Sequence, residues 1–184
     1  MTSTAPQAAL LLPDAPASVG RARRFTERSL RERSPAVSAD HVDSVVLVVS
    51  ELVTNAIRYG TEPGDSVRLV LDIAPGRTVV ECHDPVRRRP RPRRECAERE
   101  RGRGLQILEA LCPRLWGTWD RPFGKAVWAA LLVGLEDRPV GDVLGVHSSL
   151  CGDCRAARPC PDAHALTAAP QRLALPDVRS GALQ

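Results

Sequence analysis

The stretch Val45-Val46-Leu47-Val48-Val49-Ser50-Glu51-Leu52-Val53-Thr54-Asn55-Ala56 decides the fold, because it can be read in two ways. Its valine-rich run at 45–49 has strong strand propensity. Against that, Val42, Val45, Val46, Val49, Leu52, Val53 and Ala56 recur at intervals of three and four, over more residues than an ordinary strand contains. The helical period wins. The choice has a chemical consequence: on a strand Glu51 and Asn55 would stand about 13 Å apart, whereas on a helix they rise only about 6 Å and share one face. A carboxylate and a carboxamide one turn apart can hold a hydroxyl and a hydrated Mg²⁺ between them.

Working outward, Ser38 is placed to cap this helix and Gly60 to stop it at a C′ position. Upstream, residues 9–12 read as a short edge strand and residues 1–7 as disordered. A basic amphipathic helix over 19–33 follows the start signal at 14–18 and ends at Ser34-Pro35. Downstream, alternating runs at 66–73 and 78–83 flank Pro75-Gly76, a hairpin signal. In the first run Val67, Leu69 and Leu71 alternate with Arg68, Val70 and Asp72, so one face of the sheet is packed and the other partly wet. The second run closes on Asp84.

Residues 85–101 carry Pro85, Pro90 and Pro92 among arginines at 87, 88, 89, 91, 93, 94, 99 and 101, and fit neither helix nor strand. Gly102-Arg103-Gly104 then forms a glycine turn feeding a helix over 104–111, where free backbone N–H groups attract phosphate. Pro113 ends that helix. Strands at 115–119 and 125–133 pair across a turn at 120–124. The order β-α-α-β-β-loop-α-β-β predicts an α/β (α+β) two-layer sandwich, a mixed β-sheet covered on one face by helices.

Carried by Glu51 to Asn55, Asp84, the Gly102-Arg103-Gly104 turn and the closing Gly124-Lys125-Ala126-Val127-Trp128 strand, residues 8–135 resemble a known family. They are similar to the Bergerat-fold ATPase superfamily of gyrase, histidine kinases and mismatch-repair proteins, and within it to the anti-sigma-factor serine/threonine kinases. The resemblance implies ATP and Mg²⁺ as cofactors, with Asn55 holding Mg²⁺ through ATP and Glu51 as the catalytic general base. It implies that Asp84 accepts from the adenine amino group, that Gly102, Arg103 and Gly104 contact phosphate, and that 85–101 is the lid over the nucleotide. The family usually has a glycine two residues after its aspartate, whereas here Val86 follows Pro85. The implied activity is transfer of the ATP γ-phosphate to an anti-sigma-antagonist-like partner, with a sigma factor as a second protein partner and a homodimer as the assembly. The alternative is a nucleotide-dependent or nucleotide-free interaction module without kinase activity. Taken singly, each residue has a plainer reading: a polar helix stripe for Glu51 and Asn55, a turn former for Asp84, and for Lys125 a solvated strand-start lysine instead of a phosphate contact.

Composition sets the remaining bounds. Hydrophobic residues make up 43% of the 184, but aromatics only 3%, so Val, Leu, Ala and Ile must build the core. The net charge of +4 is concentrated in the arginine-rich loop, which makes nucleic acid an unlikely partner. No apolar stretch approaches the ~18 residues of a membrane span, so the expected location is the cytoplasm, where cysteines stay reduced. The segment 136–184 is rich in Ala, Pro and Arg and reads as a largely unstructured tail. Within it, Cys151-x2-Cys154-x5-Cys160-x3-His164 has the ligand number and approximate spacing of a small Zn²⁺ site, although an unstructured tail with reduced thiols is the favoured reading. Cys82, Cys96 and Cys112 are scattered and read as ordinary thiols.

Overall fold

The structure, a computed structural model, describes residues 7–88, 103–134, 140–156 and 160. Its elements run β1 (Ala8–Pro13), α1 (Ala17–Arg33), α2 (Ala39–Tyr59), β2 (Ser66–Ala74), β3 (Arg77–Asp84), α3 (Arg103–Leu111), β4 (Trp116–Asp120), β5 (Lys125–Leu132), α4 (Val140–Leu150) and α5 (Gly152–Arg155). The ambiguous valine run is helical, as its period demanded. Ser38 Oγ accepts from His41 N at 3.2 Å, satisfying one of the orphan donors at the start of α2. Asp40 in the first turn and Arg58 in the last complement the helix dipole. Val45, Val48, Val49, Leu52, Val53 and Ala56 are buried, so the apolar stripe turns through Val48 where the sequence pointed to Val46.

The sheet order is β1-β2-β3-β5-β4. The sandwich is the expected one, but the sheet is not mixed: every pairing is antiparallel. β4 does run parallel to β3, as the connection through α3 requires. β5 then folds back between them, so no two parallel strands are neighbours. Both hairpins turn on a glycine in the left-handed region, Gly76 at φ 78° and Gly124 at φ 91°.

Strand parity sorts the side chains. Cys82 Sγ lies 3.7 Å from Leu52 O of α2, so Val80, Cys82 and Asp84 face the layer of α1, α2 and α3. Trp128, which pairs with Glu81 on the other parity, faces away, and there α4 meets it: the His147 ring packs edge-on to Trp128 with centroids 6.4 Å apart. The second face is therefore covered by a helix over its β5 side. α4 and α5 also give helical structure to part of the 136–184 segment. The rest of that segment beyond residue 160, residues 1–6, Cys96 and the 89–102 part of the arginine-rich loop lie outside the described residues. Among the described residues no helix is long and apolar enough to cross a membrane.

Candidate functional site

Two elements make one end of the site. α2 presents Glu51 and Asn55, both half-buried, on the face that meets α3. α3 brings Gly104 against them, and a methyl group at Gly104 would sit 2.8 Å from Glu51 Oε2 and 3.0 Å from Asn55 Nδ2. That is closer than carbon normally approaches such atoms. The missing side chain lets the first turn of α3, whose backbone N–H groups have no intrahelical partner, close directly on the carboxylate and the carboxamide. Arg103 begins α3, its side chain lying outside the described residues, as does Gly102.

The other end forms where α2 stops. Asp84, the last residue of β3, is 4% exposed and its carboxylate lies against Gly60. A methyl group at Gly60 would fall 2.5 Å from Asp84 Cγ. Lys125 Nζ donates to Asp84 Oδ1 at 2.7 Å and to Val86 O at 2.8 Å, while Val86 N donates to the same Oδ1 at 3.1 Å. Burial pushes the Asp84 carboxyl up from the ordinary carboxylate range, and the Lys125 hydrogen bond and charge pull it back. Oδ2 receives no hydrogen bond among the described residues. Lys125, only 5% exposed, is thus not a solvated strand-start lysine. The register sets its partner, because Asp84 and Lys125 are directly opposed on β3 and β5. Gly124 completes the corner, since any side chain there would run into Asp84 O.

Nothing here is built for covalent catalysis. Burial pushes the Cys82 and Cys112 thiols far up, so neither supplies a thiolate. His83 lies on the opposite face, 2.8 Å from Glu81 Oε2, and takes no part in the site.

A second cluster lies beyond the sheet. His147, Cys151, Cys154 and Cys160 bring one donor atom each within 4.8 Å of one another. The three cysteines singled out from sequence do converge. His164 lies outside the described residues, and the imidazole among the thiols belongs to His147. The signal for it was available, since His147 and Cys151 are four apart and share a helix face.

The chain fits the model of the histidine kinase-like ATPase domain over residues 12–130, well over half its length. It belongs to that family. No curated protein matches the chain. The ATPase-domain match ends just before the close of β5, so α4, α5 and the thiol cluster lie outside it. Membership supports an ATP-binding regulatory function, and the residues present suit the nucleotide. The cradle at Gly104 joins an oxygen-rich pair to helix N–H donors, and Asp84 keeps one carboxylate oxygen without a partner among the described residues.

Proposed function

We propose that this ATPase domain is a protein-serine/threonine kinase of the anti-sigma-factor type, transferring the γ-phosphate of ATP to an antagonist-like regulatory protein in the cytoplasm and so controlling transcription. The observation that carries the reading is the meeting of Glu51, Asn55 and Gly104 at one point. Asn55 would hold Mg²⁺, and Gly102, Arg103 and Gly104 would supply the contacts to the phosphates. Bound Mg²⁺–ATP supplies the electrophilic phosphorus and neutralises the charge that develops on the phosphoryl oxygens. Glu51 accepts the proton of the partner's hydroxyl, whose oxygen takes the phosphoryl group as ADP leaves. Such transfer asks for positioning and charge stabilisation, which the site offers.

One feature favours a second reading, a nucleotide-free interaction module: Asp84 Oδ1, expected to serve adenine, already holds Lys125 and Val86 N. Titration calorimetry of Mg²⁺–ATP into wild type and Asn55→Ala separates the two. Binding that weakens at least tenfold in the variant, about 1.4 kcal/mol, supports the pocket. Absence of binding by the wild type at millimolar ATP would select the interaction module. With binding established, labelled γ-phosphate transfer to a partner that is lost in Glu51→Ala but leaves ATP affinity unchanged supports the kinase assignment.

A further inference from the structure

Outside the ATPase-domain match, three thiols and an imidazole that the nucleotide site does not use converge at the end of α4. We infer that His147, Cys151, Cys154 and Cys160 form a structural Zn²⁺ site that fastens α4 and α5 to the sheet. The inference does not depend on the nucleotide reading, because none of the four residues belongs to that pocket.

The distances suit one tetrahedral ion. With Zn–S about 2.3 Å and Zn–N about 2.05 Å, tetrahedral ligands stand about 3.8 Å apart for a sulfur pair and about 3.6 Å for sulfur and nitrogen. Cys151 Sγ and Cys160 Sγ are 3.7 Å apart, and His147 Nε2 is 3.3 Å from Cys160 Sγ. The pair is not disulfide-bonded, since bonded sulfurs lie about 2.05 Å apart. The imidazole is also prepared as a ligand. His147 Nδ1 lies 2.6 Å from Arg114 O, a contact that requires the proton on Nδ1 and leaves the Nε2 lone pair facing the thiols. Zinc-binding histidines are oriented this way, by a carbonyl or carboxylate on the far nitrogen. His147 is 1% exposed and its ring lies against Trp128, so the cluster is anchored to β5. Three thiolates and one imidazole are a soft, closed donor set, which selects Zn²⁺ over Mg²⁺ or Ca²⁺ and leaves no position for substrate.

The local chain supplies the ligands economically. His147 and Cys151 bracket one helical turn, and Cys154 follows on α5. The 9-residue separation closes the loop from Cys151 to Cys160. An ion there ties together a helix pair too short to hold itself by packing.

The test is elemental analysis of the full-length chain, expressed without a polyhistidine tag in zinc-supplemented medium, together with Co²⁺ substitution. The expected result is about one Zn²⁺ per chain and, with Co²⁺, tetrahedral d–d bands plus thiolate charge-transfer absorption. Cys160→Ser and His147→Gln should each lose the metal or weaken its binding at least tenfold, whereas His164→Ala should retain it. Chelation should lower the melting temperature of the wild type and leave Cys160→Ser unmoved, a readout that holds even if His147→Gln folds poorly. A wild type that carries no zinc and gives no cobalt spectrum overturns the assignment. So does metal that survives Cys160→Ser, or metal lost in His164→Ala but kept in His147→Gln.

Discussion

Gly60→Ala isolates the contact on which the Asp84 corner depends. Gly60 caps α2 at φ −122° and ψ 3°, a negative-φ conformation open to alanine, so the substitution needs no left-handed backbone. Most of its cost comes from the added methyl, 2.5 Å from Asp84 Cγ and 2.7 and 2.8 Å from the two carboxylate oxygens. Ordinary contact is about 3.5–4.0 Å, so the carboxylate must move by about 1 Å. It is held by Lys125 Nζ at 2.7 Å and Val86 N at 3.1 Å, with side-chain exposures of 6% for Lys125 and 2% for Asp84. If the corner yields by small shifts, the cost is that of overpacking, about 1–3 kcal/mol. If the ion pair parts inside the protein, it approaches about 3–5 kcal/mol. The expected loss is therefore about 2–4 kcal/mol, or roughly 5–15 °C in melting temperature for a chain of this size. The assay is urea unfolding with m unchanged, repeated in an Asp84→Ala/Lys125→Met background that removes the opposing group and its partner together. There Gly60→Ala should cost less than about 0.5 kcal/mol. An equal cost in both backgrounds, or a negligible one in the wild type, would refute the reasoning.

Gly104→Ala should behave in the opposite sense. Alanine gains about 0.8–1 kcal/mol over glycine in a helix, and the atoms it meets are the ends of flexible, half-buried side chains, so thermal stability should stay within about 1 kcal/mol of wild type. Mg²⁺–ATP affinity, read by calorimetry, should fall at least tenfold as Glu51 and Asn55 are pushed apart. His41 gives a pH signature. Burial lowers its pKa below 6.5, and its Nε2 lies 3.1 Å from Thr78 Oγ1, so the unfolded chain takes up the proton first as pH falls. Stability should be fully present above pH 6.5 and decline between 6.5 and the lowered value, by at most about 1.4 kcal/mol per pH unit. His41→Gln should flatten that decline when unfolding free energies at pH 7.5 and 5.5 are compared. An unchanged slope would show that other groups carry it.

Most of the fold was legible because it rests on period and punctuation. The three–four recurrence from Val42 to Ala56 outweighed a valine run, and Pro75-Gly76 and the 120–124 turn fixed both hairpins. What escaped depends on contacts between residues distant in sequence. Gly60 reads as a left-handed helix stop, yet its φ is −122°, and glycine stands there to admit a carboxylate 24 positions away. A strand order gives no sign that β5 will insert between β3 and β4, which is why a mixed sheet was expected. Lys125 read as a solvated strand-start lysine because only the β3–β5 register reveals its partner. His147 escaped notice as a member of the thiol cluster because it precedes Cys151 on α4, outside the Cys151–His164 spacing pattern.

The place of β5 in the sheet also governs when the Asp84 corner can form. The strand that carries Lys125 is the last of five to leave the ribosome, and it fills the gap between two strands made before it. Until it arrives, β3 has an open edge, Asp84 has no counter-charge and β4 has no partner. An emerging chain that has completed α2 and α3 already contains Glu51, Asn55 and Gly104, but its sheet cannot yet close over the far end of the site. Synthesis runs from the N-terminus, and pairings distant in sequence form slowly. The Asp84 corner thus closes only with the final hairpin, and a chain cut between α3 and β5 would carry Glu51, Asn55, Asp84 and Gly104 with the edge of β3 still open.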